Sequence, residues 1–443
     1  MKIAFSRMSP AQILASTFLG LILTGTALLM LPWASTGAPV GFVDALFTAT
    51  SAVCVTGLTV VDTGTRYTFF GQFVIMLLIQ FGGLGLMTMA TMVAMVLGKQ
   101  VTFRERLIIQ EAFNQFSLEG MVKLARYVVL ATLTIQSLAA AVLFIRFQSQ
   151  FGTARGLWFA VFHSVSAFCN AGFDLFGNFR SLEMFASDVT VNVVMLTLIV
   201  FGGIGFSVLA DLYSKRSLKG LALHSELVLK ITAVLIVASA VLIGLLEWNG
   251  ALANYDLTGR VLGSLFTAVT PRTAGFNTVP TGALSEATAL IIIMLMFIGA
   301  SPASTGGGIK TTTFAMVVLT VVAAVRGQGD VVIRGRRIAQ SVTIKCLSIA
   351  AISLALVLTT TFVLLLTDDA SFLDTLFETV SAFGTVGLSR GITPTLSTIG
   401  RLALIVTMFA GRVGPLTLVL AIIAKPDPCA ASVRYPEGKI IVG

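Results

Sequence analysis

Residues Thr48–Thr59 read T-A-T-S-A-V-C-V-T-G-L-T, and the pattern returns three times along the chain. It recurs as H-S-V-S-A-F-C-N-A-G-F-D at His163–Asp174, F-T-A-V-T-P-R-T-A-G-F-N at Phe266–Asn277 and E-T-V-S-A-F-G-T-V-G-L-S at Glu378–Ser389. Superposed, the four stretches keep Gly57, Gly172, Gly275 and Gly387, spaced by 115, 103 and 112 residues. Solenoid units repeat every ~20–50 residues, so this period is too long for one. It suits a repeated module of two membrane helices with a short element between them. Four glycine-centred loops meeting at one axis would form an ion filter.

The rest of the chain fits that reading. Of its 443 residues 56% are hydrophobic and 11% charged, against roughly a quarter charged in soluble domains. Such a chain is an integral membrane protein. The net charge of +9 is not spread as a nucleic-acid surface would need. All ten lysines fall at the two ends or in the connections around 98–126, 211–230 and 310–345. Basic residues concentrate on the cytoplasmic side of membrane proteins, which places both termini and these connections inside. Four cysteines without a C-x-x-C pair and two histidines give neither a disulfide framework nor a His-rich metal site.

The modules can be traced in order. Ala11–Leu31 is long enough for the roughly 30 Å hydrocarbon layer, and Pro32 stops it. Phe42–Val53 is apolar but half that length, which predicts a helix that dips in and returns at Gly57. Phe70–Leu97 is the second span, with F-G-G-L-G at Phe81–Gly85, and Gly98–Leu124 predicts an interfacial connection. Further first spans lie near 125–145, 227–246 and 344–366, and short helices at Leu157–Phe168, Val261–Val269 and Leu373–Ala382. Second spans lie near 189–210 and Leu402–Ala424. The expected boundaries are 1–98, 99–212, 213–328 and 329–425, with a tail from 426 to 443.

The second span of the third module stands apart. Thr288–Ala300 and Thr311–Val325 are apolar, but Ser301–Gly308 between them reads S-P-A-S-T-G-G-G. Proline and consecutive glycines do not sustain a helical ladder, and exposed backbone is tolerated at membrane depth only against protein or a wet cavity. The break therefore belongs beside the conduction path. Reading it as two separate spans would put Arg334–Arg337 outside, against the charge bias. Taking F-G-G, F-G-G, F-I-G and F-A-G as equivalent makes Gly83, Gly203, Gly299 and Gly411 landmarks of one level. Arg412 then lies near the break, within a span, where a charge is expensive and faces a partner or a wet cavity. It would oppose a cation there or donate to the carbonyls of the glycine-rich segment.

A dehydrated monovalent cation needs oxygen dipoles in place of water, and backbone carbonyls supply them without trapping the ion. The expected donors are Val55-Thr56-Gly57, Asn170-Ala171-Gly172, Thr273-Ala274-Gly275 and Thr385-Val386-Gly387. Glycine permits the backbone to turn its carbonyls inward. Short helices aimed at the axis add the negative ends of their dipoles. Asp174 fits a mouth carboxylate or a loop brace; Glu378 reads as an anchor and Arg272 as a brace. No catalytic constellation is present, so an enzyme is not expected. A secondary carrier is the alternative, but it calls for inverted broken helices, whereas these modules repeat in one orientation.

V-T-G-L-T at 55–59, N-A-G-F-D at 170–174, T-A-G-F-N at 273–277, T-V-G-L-S at 385–389, G-A-S-P-A-S-T-G-G-G-I-K at 299–310 and G-R-V-G-P-L-T at 411–417 resemble the Trk, Ktr and plant HKT potassium transporters. The likeness runs through nearly the whole chain and is nearest to the Ktr-type membrane subunit. It implies an all-α polytopic fold of four fused M1–P–M2 modules around one central pore, in a bacterial cytoplasmic membrane. It also implies K+ as the transported ion, with Na+ as an activator or second permeant. Ala300, Ser301, Pro302, Ala303, Ser304, Thr305, Gly306, Gly307 and Gly308 would be an intramembrane gating loop, closed by Arg412. The expected partners are a second copy of the chain, the lipid bilayer and a cytoplasmic ring of RCK-type nucleotide-binding subunits, with no nucleic acid.

Overall fold

A computed structural model describes residues 9–85, 121–217 and 219–422. The expected interfacial connection over 98–120, the later part of the second span and the tail from 426 lie outside the described residues.

The same order of elements occurs four times. Module one has α1 (Pro10–Leu29), α2 (Phe42–Val53) and α3 (Phe69–Leu84). Module two has α4 (Met121–Phe151), α5 (Thr153–Phe168), α6 (Val189–Ile204) and α7 (Phe206–Lys215). Module three has α8 (Leu223–Glu247), α9 (Leu257–Val269), α10 (Glu286–Ile298) and α11 (Thr311–Val325). A two-stranded ribbon, β1 (Val332–Ile333) with β2 (Arg336–Arg337), lies in the connection that follows. Module four has α12 (Gln340–Thr367), α13 (Phe372–Gly384), α14 (Thr398–Val413) and α15 (Pro415–Ile422).

Among the described residues, α1, α4, α8 and α12 are the four helices each long and apolar enough to cross a bilayer alone. Their outward faces carry exposed leucines such as Leu23, Leu138, Leu245 and Leu366, as a surface solvated by lipid requires. The short helices lie inside, and Phe47, Phe168, Phe266 and Phe383 on them are fully buried.

The second helices share a start and a stop. Thr68, Asp188, Ser285 and Ser397 cap them, each side chain accepting from the backbone three residues on. That satisfies one N–H left over in the first turn. Each then ends at a glycine with positive φ: Gly85 (80°), Gly205 (102°), Gly299 (58°) and Gly414 (95°). This corrects two expectations. The second spans of modules two and four are not continuous: α6 and α7 meet at 98° across Gly205, and α14 stops one residue before Gly414. A break is therefore not peculiar to module three; what is peculiar there is the length of chain inserted. The landmark register also moves, because Gly299 matches Gly85, Gly205 and Gly414, whereas Gly411 matches Gly82 and Gly202.

These last glycines explain the F-G-G and F-A-G motifs. A Cβ added at Gly82 would stand 2.0 Å from the Val53 carbonyl oxygen, at Gly202 2.0 Å from that of Phe168, and at Gly411 1.9 Å from that of Phe383. In modules one, two and four the second helix thus lies directly against the carbonyl end of its own module's short helix. No side chain fits between them.

Candidate functional site

Each short helix ends just before its glycine loop, and the exit is built alike in all four. Val55, Asn170, Thr273 and Thr385 have left-handed backbone, with φ of 57°, 58°, 69° and 51°. Two residues later Gly57, Gly172, Gly275 and Gly387 are left-handed again, with φ of 91°, 70°, 78° and 93°. The residue between turns its N–H back to the helix: Thr56 to Ser51 O (2.8 Å), Ala171 to Ser166 O (2.8 Å), Ala274 to Thr270 O (2.9 Å) and Val386 to Ser381 O (2.9 Å). In a planar trans peptide the preceding C=O points the opposite way. The carbonyls of Val55, Asn170, Thr273 and Thr385 are therefore turned away from their helices.

The four glycines close a ring. A Cβ added at Gly57 would meet Ala171 O at 2.4 Å and Gly172 Cα at 3.0 Å, and one at Gly172 would meet Ala274 O at 2.9 Å and Gly275 Cα at 3.0 Å. At Gly275 it would meet Val386 O at 2.3 Å and Gly387 Cα at 3.2 Å, and at Gly387 Thr56 O at 2.2 Å and Gly57 Cα at 3.0 Å. Modules one to four thus touch in cyclic order through backbone alone. The structure brings the four glycines together with the carbonyls of Thr56, Ala171, Ala274 and Val386 in this ring.

Residues that the sequence reading missed hold the loops. Gly57 N donates to Ser51 Oγ (3.0 Å) and Gly387 N to Ser381 Oγ (3.1 Å). In the other modules Ser166 Oγ donates to Phe173 O (2.8 Å) and Thr270 Oγ1 to Phe276 O (2.5 Å). The signal was present: Ser51, Ser166 and Ser381 each precede their glycine by six positions, and Thr270 by five. A second layer anchors the limb beyond the glycine. Tyr67 donates to Thr48 Oγ1 (3.2 Å), Leu175 N to His163 Nε2 (3.3 Å), and the Thr393 hydroxyl to Glu378. Glu378 is thus an anchor. Arg272 is 6% exposed and its terminal nitrogens have no partner among the described residues, so it braces nothing there.

Residues 300–308 lie against the end of the ring nearest the short-helix termini. A Cβ added at Gly306 would fall 2.0 Å from Thr273 Oγ1, and Gly307 N donates to Thr385 Oγ1 at 3.0 Å. The segment also supplies the partners that the broken helices lack. Ser301 N donates to Gly203 O (3.0 Å) and Thr305 N to Gly202 O (3.2 Å), capping the carbonyl end of α6; Ala303 O accepts from Phe206 N (2.8 Å), the first residue of α7. Thr305 Oγ1 adds a bond to Phe168 O at 3.3 Å.

Arg412 reaches the same place. Its guanidinium donates to the carbonyls of Thr305 and Gly82, and to that of Gly83 at 3.1 Å. It therefore joins the inserted segment to the end of α3. Lys310, counted in the sequence with the connection that follows, instead places Nζ 2.6 Å from Gly306 O and 3.5 Å from Gly307 O. No group of three or more His, Cys, Asp or Glu side chains able to hold a metal ion occurs among the described residues.

Above the ring, burial and the neighbouring Asp62 carboxylate push the half-buried Asp174 up to about 7, against the pull of the Phe176 and Gly177 N–H groups. Burial likewise raises Glu183. Asp44 and Asp374, in the first turns of α2 and α13, pair with Arg401 and Arg390. They brace the short helices.

Four glycine loops in a ring, with every second helix ending at a glycine, invite comparison with known proteins. The family described as TrkH, cation transport protein, matches residues 1–433. The chain is a member of the TrkH family. It is 45% identical over 443 residues to the Ktr system potassium uptake protein B of Bacillus subtilis, spanning 100% of this chain and 98% of that protein. It is 40% identical to the potassium/sodium uptake protein NtpJ of Enterococcus hirae, over 99% of this chain and 98% of that one. Among solved structures, the potassium transporter TrkH of Vibrio parahaemolyticus superposes with a TM-score of 0.71 at 18% identity, covering 92% of this chain and 85% of that one. The TrkH family is one of transporters rather than enzymes, and the fold is that of a membrane protein built from M1–P–M2 repeats.

Proposed function

We propose that the chain is the membrane subunit of a potassium uptake system, conducting K+ inward through the ring of Val55-Thr56-Gly57, Asn170-Ala171-Gly172, Thr273-Ala274-Gly275 and Thr385-Val386-Gly387. The observation that carries this reading is the ring closure: four backbone segments in cyclic contact, their first carbonyls turned away from the helices that hold them. Carbonyl dipoles replace an ion's hydration shell, and the four short-helix C-termini add negative potential at the ring's inner end. Asp174 raises the local cation concentration at the mouth.

Residues 300–308 form the gate. They fill the space under the ring and are held by Arg412, a fixed positive charge on the cation's route. For ions to pass, the segment must leave, and the carbonyls of Gly82, Gly202 and Gly203 must exchange their present donors for water or the ion itself. Glycines at 306–308 make that movement inexpensive. The basic cytoplasmic connections would receive an RCK-type nucleotide-binding ring that drives it, and two copies of the chain would share that ring with both termini inside. The module boundaries fall at 98, 212, 328 and 425. K+ is the preferred ion because all four loops keep glycine; the potassium/sodium designation of the Enterococcus hirae relative supports Na+ as a second permeant or an activator.

The test is Rb+, K+ and Na+ flux into liposomes holding the purified full chain, with and without its cytoplasmic partner. K+ and Rb+ passing well ahead of Na+, and faster with the partner, is the expected result. Equal passage of all three would remove the selectivity assignment, and no flux in either state would remove the channel reading.

A further inference from the structure

Arg412 is not the one cation on the inserted segment: a second sits on the same stretch of backbone. Thr305 O accepts from Arg412, while Gly306 O and Gly307 O accept from Lys310. Neither cation forms an ion pair with a carboxylate among the described residues. Two positive groups on three consecutive carbonyls, with no counter-charge, is an odd way to stabilise a loop. It is a reasonable way to fill a cation site.

The geometry supports that view. Gly306 and Gly307 pack against Thr273 and Thr385, the first residues of the third and fourth filter segments. The Lys310 ammonium is thus one residue removed from the inner end of the ring. An ammonium is a compact monovalent cation on a flexible four-carbon stem. It takes up carbonyl dipoles as K+ does, and it withdraws by rotating its own side chain. Arg412, a planar fork fixed to α14 and committed to three carbonyls on two elements, lacks that freedom. With the lysine gone, the buried Gly306 carbonyl would need another partner and Gly307 O would keep only Ala300 N at 3.5 Å; a dehydrated cation leaving the filter supplies the missing one.

We propose that the Gly306 and Gly307 carbonyls form an inner site for the transported monovalent cation, occupied by the Lys310 ammonium while the gate is shut. The proposal rests on the filter-and-gate reading and adds to it a tethered competitor for the ion. Lys310 is a positioning residue for the closed loop and Arg412 its anchor; only the lysine stands in for the ion.

The experiment compares full-length wild type, Lys310→Ala, Lys310→Arg and Arg412→Gln in detergent, reading the unfolding midpoint as choline chloride is exchanged for KCl or RbCl at constant ionic strength. The same proteins are assayed for Rb+ uptake in liposomes. In Lys310→Ala the vacated site binds K+, so KCl raises the midpoint further than in wild type and at roughly tenfold lower concentration, about the worth of one charge-assisted hydrogen bond. Lys310→Arg abolishes that additional response. Arg412→Gln raises flux without adding it, because the lysine stays in place. A Lys310→Ala midpoint that follows KCl as wild type does would overturn the inner site, whatever happens to flux. Absence of any K+ response and any Rb+ uptake in all four proteins would overturn it too, by removing the filter reading beneath it. Lys310→Gln replaces the alanine variant if that one does not fold.

Discussion

The outer and inner halves of this molecule are built on opposite principles. In the outer half the modules are near copies, with a left-handed residue, a glycine two places on and a hydroxyl brace at the end of each short helix. In the inner half they diverge. Every second helix stops at a glycine, but one module inserts a loop and another contributes an arginine. The proposed filter and gate give the difference a physical cause. A dehydrated ion must be surrounded, so all four modules have to offer the same dipoles at one height. Closing a path requires a single obstruction, so one module supplies it and the others offer the carbonyls that receive it.

If that division is correct, disturbing one outer loop should do the most damage. Gly275→Ala places a Cβ 2.3 Å from Val386 O at φ +78°, a conformation costing roughly 1–2 kcal/mol in strain alone. Discrimination between K+ and Na+ should be lost altogether in a flux assay while the protein still purifies intact; retained selectivity would break the comparison. An inner change should act in the other direction. Arg412→Gln removes charge-assisted bonds worth roughly 1.5–3 kcal/mol, and resting Rb+ flux should rise tenfold or more. Unchanged or lower flux from folded protein would mean that the arginine does not hold the gate shut.

Smaller effects sharpen the picture. Ser381→Ala takes away a brace of about 1 kcal/mol and should reduce selectivity by several fold, a change read from the Na+/K+ flux ratio. Asp174 loses its charge as pH falls through about 7. Uptake at low external K+ should therefore decline between pH 8 and pH 6, and Asp174→Asn should flatten that slope. Arg401→Leu breaks the pair with Asp44, whose side chains are 22% and 28% exposed, so about 0.2–1 kcal/mol is at stake. The melting temperature should fall slightly with selectivity unchanged.

Much of the outer half was legible in the sequence because repetition announces it. Phe42–Val53 and Thr311–Val325 were bounded to the residue, since glycine, proline and apolar runs mark half-length helices plainly. The inner half was harder. Gly205 and Gly414 sit in apolar surroundings where a glycine reads as a packing residue, and only φ shows that it ends a helix. Gly82, Gly202 and Gly411 are the packing glycines, each three residues earlier, and this shifted the landmark register. Lys310 was hidden by its place in the chain. A lysine at the start of a basic connection looks like a surface charge, and its reach back over four residues to Gly306 is a tertiary fact. The hydroxyl braces were visible as a fixed offset but had no apparent partner until the loops were closed.

The central claim is that the four glycine loops hold the ion. Its most direct test is anomalous diffraction from crystals of the full-length protein grown in RbCl or TlCl. The account predicts peaks on the axis of the ring formed by Gly57, Gly172, Gly275 and Gly387, level with the carbonyls of Thr56, Ala171, Ala274 and Val386. Peaks confined to other parts of the molecule, with none on that axis, would contradict it.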